Sequence, residues 1–172
     1  KVQTFTSQEF LLEHISSIMS FYHPRCIDKE VGGFFQNFRD DGSVYDSKTR
    51  HLVSSTRFIF NYAMAAKQFN NSEYLDVAKH GINYLRQFHL NSKTRGYAWI
   101  LNDKEIQDPT NYCYGLAFVL LAYSTAYKAG LAEAKNYIDE TFNLMEKYFW
   151  SEDDGLYCDE IRADWSRVSE YR

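Results

Sequence analysis

Apolar residues recur at intervals of three and four along five stretches of this chain, and short aromatic segments separate the stretches. In the first stretch, Phe10, Ile15 and Met19 follow this spacing. Thr6 and Glu9 precede them at the separation of a capping box, in which a hydroxyl and a carboxylate satisfy the first free amides of a helix. The pattern predicts a first helix over residues 7–21.

The second and third helices are predicted to follow each other with almost no connection. Residues 52–69 carry one apolar face, and Asn70-Asn71-Ser72 interrupts the pattern. In the helix after this break, the apolar residues form two stripes. These are Leu75, Ala78, Ile82 and Leu85 on one side and Tyr74, Val77, Gly81, Tyr84 and Phe88 on the other. A helix with two apolar stripes is expected to lie between neighbours.

Two further helices are predicted in the second half of the chain. Asp108 as the N-cap and Pro109 at the first helical position open the fourth helix, which ends before Gly130. A fifth helix is expected over residues 131–149 with one apolar side. The residues of that side are Ile138, Phe142, Met145 and Phe149.

Between the helices, a glycine-led aromatic segment recurs about every sixty residues. The three copies begin at Gly32-Gly33-Phe34-Phe35, Gly96-Tyr97-Ala98-Trp99 and Gly155-Leu156-Tyr157-Cys158. Asp40-Asp41-Gly42 and Asn102-Asp103-Lys104 mark tight turns of short β-hairpins in the first two copies. Because a helical hairpin buries its apolar faces only against neighbouring hairpins, the copies predict an array whose loops collect aromatic rings and carboxylates on one rim.

Such an array predicts an all-α helical toroid with short β-hairpins on its rim. A closed ring of six hairpins would need about twice the length of this 172-residue chain. We therefore expect residues 1–172 to be the amino-terminal part of a single barrel domain. The alternative is a complete open solenoid, which would need a polar capping repeat at its last face.

Composition removes several classes of partner. A net charge of −4 and the lack of a basic stripe argue against nucleic acid. The longest apolar run, residues 116–123, is far shorter than the roughly 18 residues of a membrane span. Cys26, Cys113 and Cys158 form no Cys-x-x-Cys pair, so neither a disulfide framework nor a zinc site is indicated and a cytoplasmic location is expected. The aromatic content of 17% suits either a sugar-binding rim or a bulky core.

Four motifs, in order along the chain, carry a resemblance to a known family. They are Gly32-Gly33-Phe34-Phe35 with Asp40-Asp41-Gly42; His51-Leu52-Val53-Ser54-Ser55-Thr56-Arg57-Phe58; Asn111-Tyr112-Cys113-Tyr114-Gly115-Leu116-Ala117-Phe118-Val119-Leu120-Leu121; and a closing run from Lys147-Tyr148-Phe149-Trp150 through Ser169-Glu170-Tyr171-Arg172. On these residues the whole chain resembles the N-acylglucosamine 2-epimerase superfamily. Its closing run is most similar to the D-mannose isomerase branch of that superfamily.

The resemblance implies an all-α (α/α)6 barrel, a helical toroid of which this chain supplies the amino-terminal repeats. It also implies an enzyme that interconverts D-mannose and D-fructose, or epimerises a sugar at C2. In that chemistry a histidine removes the proton on C2 of the open sugar, and a cis-enediol takes a proton back at C1 or on the opposite face of C2. A neutral imidazole suits both tasks, because its ordinary pKa lies near 6.5. By the same resemblance the acid and base histidines lie in later repeats beyond Arg172, so no catalytic residue is expected within this chain.

Two substrate-binding residues are implied by the resemblance. Arg57 would project from an inner helix, bind sugar oxygens and stabilise the negative charge that develops on the enediol. Tyr114 matches a family tyrosine that hydrogen-bonds the substrate and is expected on the second turn of the fourth helix. The alternatives are that Arg57 neutralises Asp40 or Asp46 and that Tyr114 packs in the core. Leu116 stands where a related sulfosugar-handling branch carries a histidine, which makes that activity a poorer match.

The five histidines of the chain are not expected to replace the missing acid and base. His14, His80 and His89 lie inside or near the ends of helices and are expected to be surface or packing residues. His23 has no identifiable partner. His51 aligns with a family position, but it can equally cap a helix or pack against the hairpin, and it receives no role.

Other functions stay open. A glycoside hydrolase on a barrel of this kind would need two carboxylic acids about 5 to 10 Å apart. The candidates are Asp40, Asp41, Asp108, Asp153 and Asp154, which all have structural explanations as turn or cap residues. A non-catalytic helical repeat protein that binds a sugar or a protein is the other possibility. For the enzyme we expect no cofactor and no metal, a monosaccharide as the partner, and either a monomer or a homodimer.

Overall fold

The computed structural model describes residues 7–166 of the chain. Five α-helices form the frame of the described residues. They are α1 (Gln8–Tyr22), α2 (Leu52–Phe69), α3 (Ser72–Tyr84), α4 (Cys113–Lys128) and α5 (Ala134–Leu144). A π-helical turn continues α3 over Leu85–His89, and a second one continues α5 over Met145–Phe149. The predicted bounds of α2 are confirmed at both ends.

The helices form two layers. α2 and α4 pack side by side, α1 and α3 pack against α2, and α5 packs against α4. We call α2 and α4 the inner helices and α1, α3 and α5 the outer helices. The core lies between the layers, where Ile59 and Tyr62 of α2 and Val119 and Tyr123 of α4 are fully buried. α3 also contacts α4, which confirms that it lies between neighbours.

Short antiparallel strands follow each outer helix, and those after α1 and α3 lead into the inner helices α2 and α4. The strands are β1 (Asn37–Phe38), β2 (Val44–Asp46), β3 (Thr49–His51), β4 (Ile100–Asn102), β5 (Glu105–Asp108), β6 (Asn111–Tyr112), β7 (Trp150–Ser151), β8 (Leu156–Tyr157) and β9 (Glu160–Ile161). β1 pairs with β2 and β4 pairs with β5, which confirms the two predicted hairpins. In addition, β3 pairs with β4 and β6 pairs with β9. These additional pairs join each rim segment to the next one.

The sixty-residue module is visible in the backbone hydrogen bonds. The amides of Phe35, Ala98 and Cys158 donate to the carbonyls of Cys26, His89 and Phe149 at 2.7, 2.8 and 2.8 Å. The amide of Leu52, at the start of α2, donates to the Trp99 carbonyl at 2.9 Å. The amide of Cys113, at the start of α4, donates to the Asp159 carbonyl at 2.8 Å. Each inner helix therefore begins on a hydrogen bond to the following rim segment.

The first helix is capped by Ser7 and not by Thr6. The Ser7 hydroxyl accepts a hydrogen bond from the Phe10 amide at 3.2 Å, which is the arrangement of an N-cap. The predicted capping box of Thr6 and Glu9 is therefore wrong in its first residue, and Thr6 itself lies outside the described residues.

The fourth helix begins later than predicted. Asp108 does not cap it, because the Asp108 side chain accepts a hydrogen bond from the Thr110 amide at 3.0 Å and closes a tight turn. Aspartate favours this local turn as readily as a helix N-cap, so the Asp108-Pro109 signal is compatible with both structures. The prediction of an N-cap at Asp108 is wrong.

Contacts between residues distant in sequence determine where α4 begins. Asn111 is 2% exposed, and its side chain accepts a hydrogen bond from the Tyr97 amide at 2.9 Å. Asn111 and Tyr112 are extended because they pair with β9. Consequently Tyr114 lies in the first turn of α4. The prediction that it lies in the second turn is wrong.

The fifth helix and its π-helical continuation pack on the core through Ile138, Met145 and Phe149 as predicted, but not through Phe142. Phe149 is fully buried as expected, but Phe142 is 50% exposed. Ala134 and Thr141 are fully buried in its place. The Thr141 hydroxyl donates to the Tyr137 carbonyl at 2.8 Å, so this polar residue is satisfied inside the core. A pattern drawn from large apolar residues cannot reveal such a position.

Candidate functional site

The start of α2 is held by the first and second rim segments. The first amides of a helix have no partner inside it and need acceptors from elsewhere. Gln36 Oε1 accepts from the His51 amide at 2.6 Å, and the Trp99 carbonyl accepts from the Leu52 amide at 2.9 Å. His51 Nδ1 accepts from the Val53 amide at 3.2 Å, so His51 is the N-cap of α2. The first turn of this inner helix is thereby fixed to both rim segments.

Arg57 lies on the exposed face of α2. Its guanidinium carbon is 5.7 Å from the centroid of the Phe118 ring on α4. Within residues 7–166, Arg57 forms no ion pair, so the alternative in which it neutralises Asp40 or Asp46 is wrong. A guanidinium that rests on an aromatic face without a carboxylate partner keeps its donors available for a ligand.

Tyr114 contacts the same aromatic ring as Arg57. It is 57% exposed, which rules out the alternative of a core position. Its ring centroid is 4.8 Å from that of Phe118, with 60° between the planes. The structure therefore brings both Arg57 and Tyr114 into contact with Phe118. Their role in binding a substrate stays a prediction.

A groove of about 220 Å³ opens between the exposed faces of the two inner helices. Its lining residues are Thr56, Arg57, Phe60, Asn61, Phe118 and Leu121. Sequence reasoning did not select Phe60, Asn61, Phe118 or Leu121 as site residues. The signal was present in the helical spacing, because Asn61 lies four residues after Arg57 and Phe118 lies four residues after Tyr114.

A cluster of aromatic rings covers the first turns of both inner helices. The His51 ring is 4.4 Å from Trp99, and Trp99 is 4.4 Å from Tyr112, measured between ring centroids. Gly115 allows the close approach of Trp99 to α4. A Cβ at Gly115 would lie 3.0 Å from Trp99 and 2.9 Å from Leu52. His51 therefore both caps α2 and packs on the rim.

The arginine that does neutralise a rim carboxylate is Arg50, on β3. Arg50 is fully buried and forms an ion pair with Asp28, which is 4% exposed. It also donates to the carbonyls of Phe34 and Ser47. The ring of Phe35 lies 5.1 Å from its guanidinium carbon. These contacts hold the loops of the first rim segment together and leave Arg50 no exposed surface.

The carboxylates considered for a hydrolase serve turns. Asp41 accepts hydrogen bonds from the amide and the hydroxyl of Ser43 at 2.9 and 2.6 Å, and these bonds lower the pKa of Asp41. Asp154 accepts a bond from a serine hydroxyl at 3.0 Å, and Asp108 closes the turn described above. The other two candidates, Asp40 and Asp153, are exposed. Their structural explanations are therefore supported by the hydrogen bonds and exposure of these residues.

His14 and His89 confirm the expectation of surface and packing roles. His14 is exposed on α1, whereas His89 is fully buried. His89 Nδ1 lies 2.9 Å from the Ala98 carbonyl, and its Nε2 lies 3.3 Å from the Ser55 hydroxyl. Burial lowers the pKa of His89 to about 4, so its ring is neutral at neutral pH.

His80 and His23 have partners at the junction of helices and loops. His80 packs as expected, with Nε2 2.9 Å from the Gly33 carbonyl. His23 does have a partner, contrary to our expectation. Its Nδ1 lies 3.0 Å from the Tyr62 hydroxyl, and its Nε2 lies 3.7 Å from the Glu73 carboxylate. None of these contacts is on the face that carries the groove lining.

The described residues offer little support for metal binding or for a reactive thiol. Across residues 7–166, no group of three or more His, Cys, Asp or Glu side chains is arranged to hold a metal ion. Cys26 and Cys113 are not bound in disulfides, and burial raises the pKa of the Cys26 thiol to about 11, which keeps it protonated. Among the helices of this part of the chain, none has the length and apolar character needed to cross a membrane.

Comparison with solved structures identifies the fold as that of the helical toroids of sugar epimerases and isomerases. A crystal structure of D-mannose isomerase superimposes with a TM-score of 0.91 and 56% sequence identity, over 100% of this chain and 45% of that chain. The predicted all-α toroid is therefore confirmed. The family model for N-acylglucosamine 2-epimerase (GlcNAc 2-epimerase) matches residues 33–172. The chain belongs to the N-acylglucosamine 2-epimerase family.

Two curated relatives show the range of the likeness. The D-mannose isomerase of Marinomonas mediterranea is 57% identical over 168 residues, which cover 98% of this chain and 42% of the relative. The cellobiose 2-epimerase of Bacteroides fragilis is 25% identical over 170 residues, covering 96% of this chain and 43% of the relative. The chain thus spans less than half the length of these relatives. The last residues of the closing motif, Ser169-Glu170-Tyr171-Arg172, lie outside the described residues.

Proposed function

We propose that the complete protein interconverts D-mannose and D-fructose through a cis-enediol, without a cofactor. The observation that carries this proposal is the 57% identity to a D-mannose isomerase across 98% of the chain. The groove between the inner helices supports it, because its lining combines a guanidinium that has no ion pair within residues 7–166 with aromatic rings, and the exposed Tyr114 packs on one of those rings. Such a lining suits a polyhydroxylated ligand.

Arg57 would act on the charge that develops during the reaction. When a base removes the C2 proton of open-chain mannose, the electron pair forms the C1–C2 double bond and negative charge accumulates on the C1 oxygen. A fixed cation beside that oxygen lowers the energy of the transition state more than that of the bound sugar. A proton then moves from the C2 hydroxyl to the C1 oxygen, and return of a proton to C1 leaves the C2 carbonyl of the ketose. Tyr114 would hydrogen-bond a sugar hydroxyl and hold the open chain against Phe118.

We assign proton transfer to histidines of the complete protein that lie beyond these 172 residues. The described histidines support this assignment through their own contacts. His51 uses Nδ1 to cap α2, and His89 is fully buried. His23 and His80 bond to neighbouring helices and loops. We further propose that the protein acts in the cytoplasm, where reduced thiols such as those of Cys26 and Cys113 persist, and that it forms a homodimer.

The test is proton NMR of the complete protein incubated with D-mannose in D2O. Fructose that appears together with deuterium incorporation supports aldose–ketose isomerisation through an enediol. Glucose as the primary product would instead establish 2-epimerisation, the alternative favoured by the 25% identity to a cellobiose 2-epimerase. Mannose that stays unchanged and unlabelled contradicts the proposal and brings forward a carbohydrate-binding role.

A further inference from the structure

A continuous chain of four hydrogen bonds runs behind the first turn of α2, on the side away from the groove. His89 is bonded to the Ala98 carbonyl at 2.9 Å and to the Ser55 hydroxyl at 3.3 Å. The Gln36 side-chain amide donates to the Ser55 hydroxyl oxygen at 2.8 Å. Gln36 Oε1 accepts from the His51 backbone amide at 2.6 Å. The chain therefore links the end of the outer helix α3, the inner helix α2 and the first rim segment.

The direction of every bond in this chain is determined. A backbone carbonyl can only accept, so His89 carries its proton on Nδ1 and donates to Ala98. The neutral ring then has a free lone pair on Nε2, which accepts from the Ser55 hydroxyl. The Ser55 oxygen in turn accepts from the Gln36 amino group, which leaves the Gln36 carbonyl oxygen to accept from the His51 amide. Each hydrogen bond of this hydrogen-bond chain therefore has one donor and one acceptor.

Burial makes the hydrogen bonds of this hydrogen-bond chain costly to break. His89 is fully buried and Ser55 is 3% exposed, while Gln36 and His51 are half-buried. A buried polar group that loses its partner is left without water to replace it, at a cost of about 1–3 kcal/mol. Bonds in series within a low-dielectric interior also strengthen one another. The helix start cannot shift along or around its axis without breaking at least one of these bonds.

We infer that Gln36, Ser55 and His89 are positioning residues that fix the first turns of α2 and thereby hold the Arg57 guanidinium over Phe118. The inference rests on the proposed function for its catalytic consequence. None of the three residues lines the groove, so they act through the helix and not by contact with the sugar. Ser55 and Arg57 lie on the same turn of α2 with opposite exposure, Ser55 inward and Arg57 outward.

The first test compares Ser55→Ala with Ser54→Ala in the complete protein. The two changes are chemically identical and adjacent on the helix, but only Ser55 takes part in the hydrogen-bond chain. We expect Ser55→Ala to lower kcat about tenfold or more with little change in KM, because misplacing a charge-stabilising group acts on the transition state. Ser54→Ala should leave both constants unchanged. Unchanged kcat in Ser55→Ala, at a temperature where the variant is folded, would overturn the inference even if its Tm falls.

A second readout does not depend on activity. In the wild type, the Arg57 Nε–H resonance in proton–nitrogen NMR should carry a ring-current shift from Phe118, and the Arg57→Met variant assigns it. We expect this ring-current shift to shrink in Ser55→Ala and in Gln36→Met and to persist in Ser54→Ala. Gln36→Met breaks the hydrogen-bond chain at its half-buried end. An Arg57 resonance that is unmoved in both chain variants would contradict the inference. If the wild type does not act on mannose, the proposed function fails while this comparison still decides the positioning role.

Discussion

Arg50 and Arg57 lie close together in the sequence, one on β3 and the other on α2, yet they occupy opposite environments. Arg50 is fully buried, paired with Asp28 and bonded to two backbone carbonyls. Arg57 is exposed, rests on Phe118 and lacks an ion pair within residues 7–166. The first arginine holds rim loops together, whereas the second faces the groove.

The difference shows how one residue type serves structure and chemistry in neighbouring turns. A buried guanidinium requires partners that compensate its lost hydration, and in Arg50 those partners occupy donors on the two terminal nitrogens. An exposed guanidinium on a ring keeps its hydration and its donors until a ligand replaces the water. Variants of the buried region should therefore change stability, and variants of the groove should change activity.

Removing the partner of Arg50 should have the largest effect. Asp28→Ala leaves a buried cation without its carboxylate, for which we expect a loss of about 3–5 kcal/mol in the free energy of unfolding. Urea denaturation of the complete protein measures it, and Asp76→Ala on the exposed side of α3 is the matched control. A loss below about 1 kcal/mol, the scale of an exposed ion pair, would show that Arg50 is not held by this pair.

The exposed arginine should show the opposite behaviour. We expect Arg57→Ala in the complete protein to lower kcat about 10²–10³-fold, because it removes a charge aimed at the developing enediolate. The free energy of unfolding should change by no more than about 0.5 kcal/mol. Lys67→Ala, an exposed cation further along α2, is the control and should leave both quantities unchanged. Equal kcat in Arg57→Ala and wild type would remove Arg57 from the site.

The buried histidine should make the interior region sensitive to acid. The pKa of His89 is about 4 in the folded protein and 6.5 without burial, so between these values the unfolded chain binds a proton that the folded protein does not. The free energy of unfolding should therefore fall as the pH falls from 6.5 to 4, by about 3 kcal/mol from this group. His89→Gln removes this contribution. The advantage of wild type over His89→Gln in urea denaturation should thus narrow towards pH 4, and a constant difference would contradict the assignment of a neutral His89.

The smallest expected effect is that of the exposed tyrosine. Tyr114→Phe removes one hydroxyl that would hydrogen-bond the sugar, worth about 0.5–1.5 kcal/mol, so kcat/KM should fall roughly two- to tenfold. Tyr127→Phe, an exposed tyrosine near the other end of α4, is the matched control. An equal response of the two variants would show that Tyr114 makes no specific contact with the substrate.

Local signals in the sequence were sufficient for most of the helical frame. The apolar period and the Asn70 break predicted α2 at both ends, and turn residues predicted the two hairpins. Predictions failed where a contact distant in sequence competes with a local signal. Asp108 can cap a helix or close a turn, and pairing of β6 with β9 decides for the turn. Likewise Thr141 replaces Phe142 in the core because the neighbouring helix determines the buried face.

The candidate site was predictable only in part. The family resemblance selected Arg57 and Tyr114, but no local pattern showed that Arg57 contacts Phe118, because that contact depends on how α2 packs against α4. Nor could charge pattern alone decide which arginine pairs with a rim carboxylate. The partner of Arg50 is Asp28, which lies on a loop before the first hairpin and which sequence reasoning did not consider.

The contrast between the two arginines is tested most directly by one NMR titration of the complete protein with D-mannitol, a non-reacting open-chain polyol. The observed signals are the Nε–H resonances of Arg50 and Arg57, assigned with Arg50→Met and Arg57→Met. Our account predicts that the Arg57 resonance shifts and saturates with mannitol while the Arg50 resonance stays in place. An Arg57 resonance that does not move at a mannitol concentration that inhibits turnover would contradict the assignment of the groove as the sugar site.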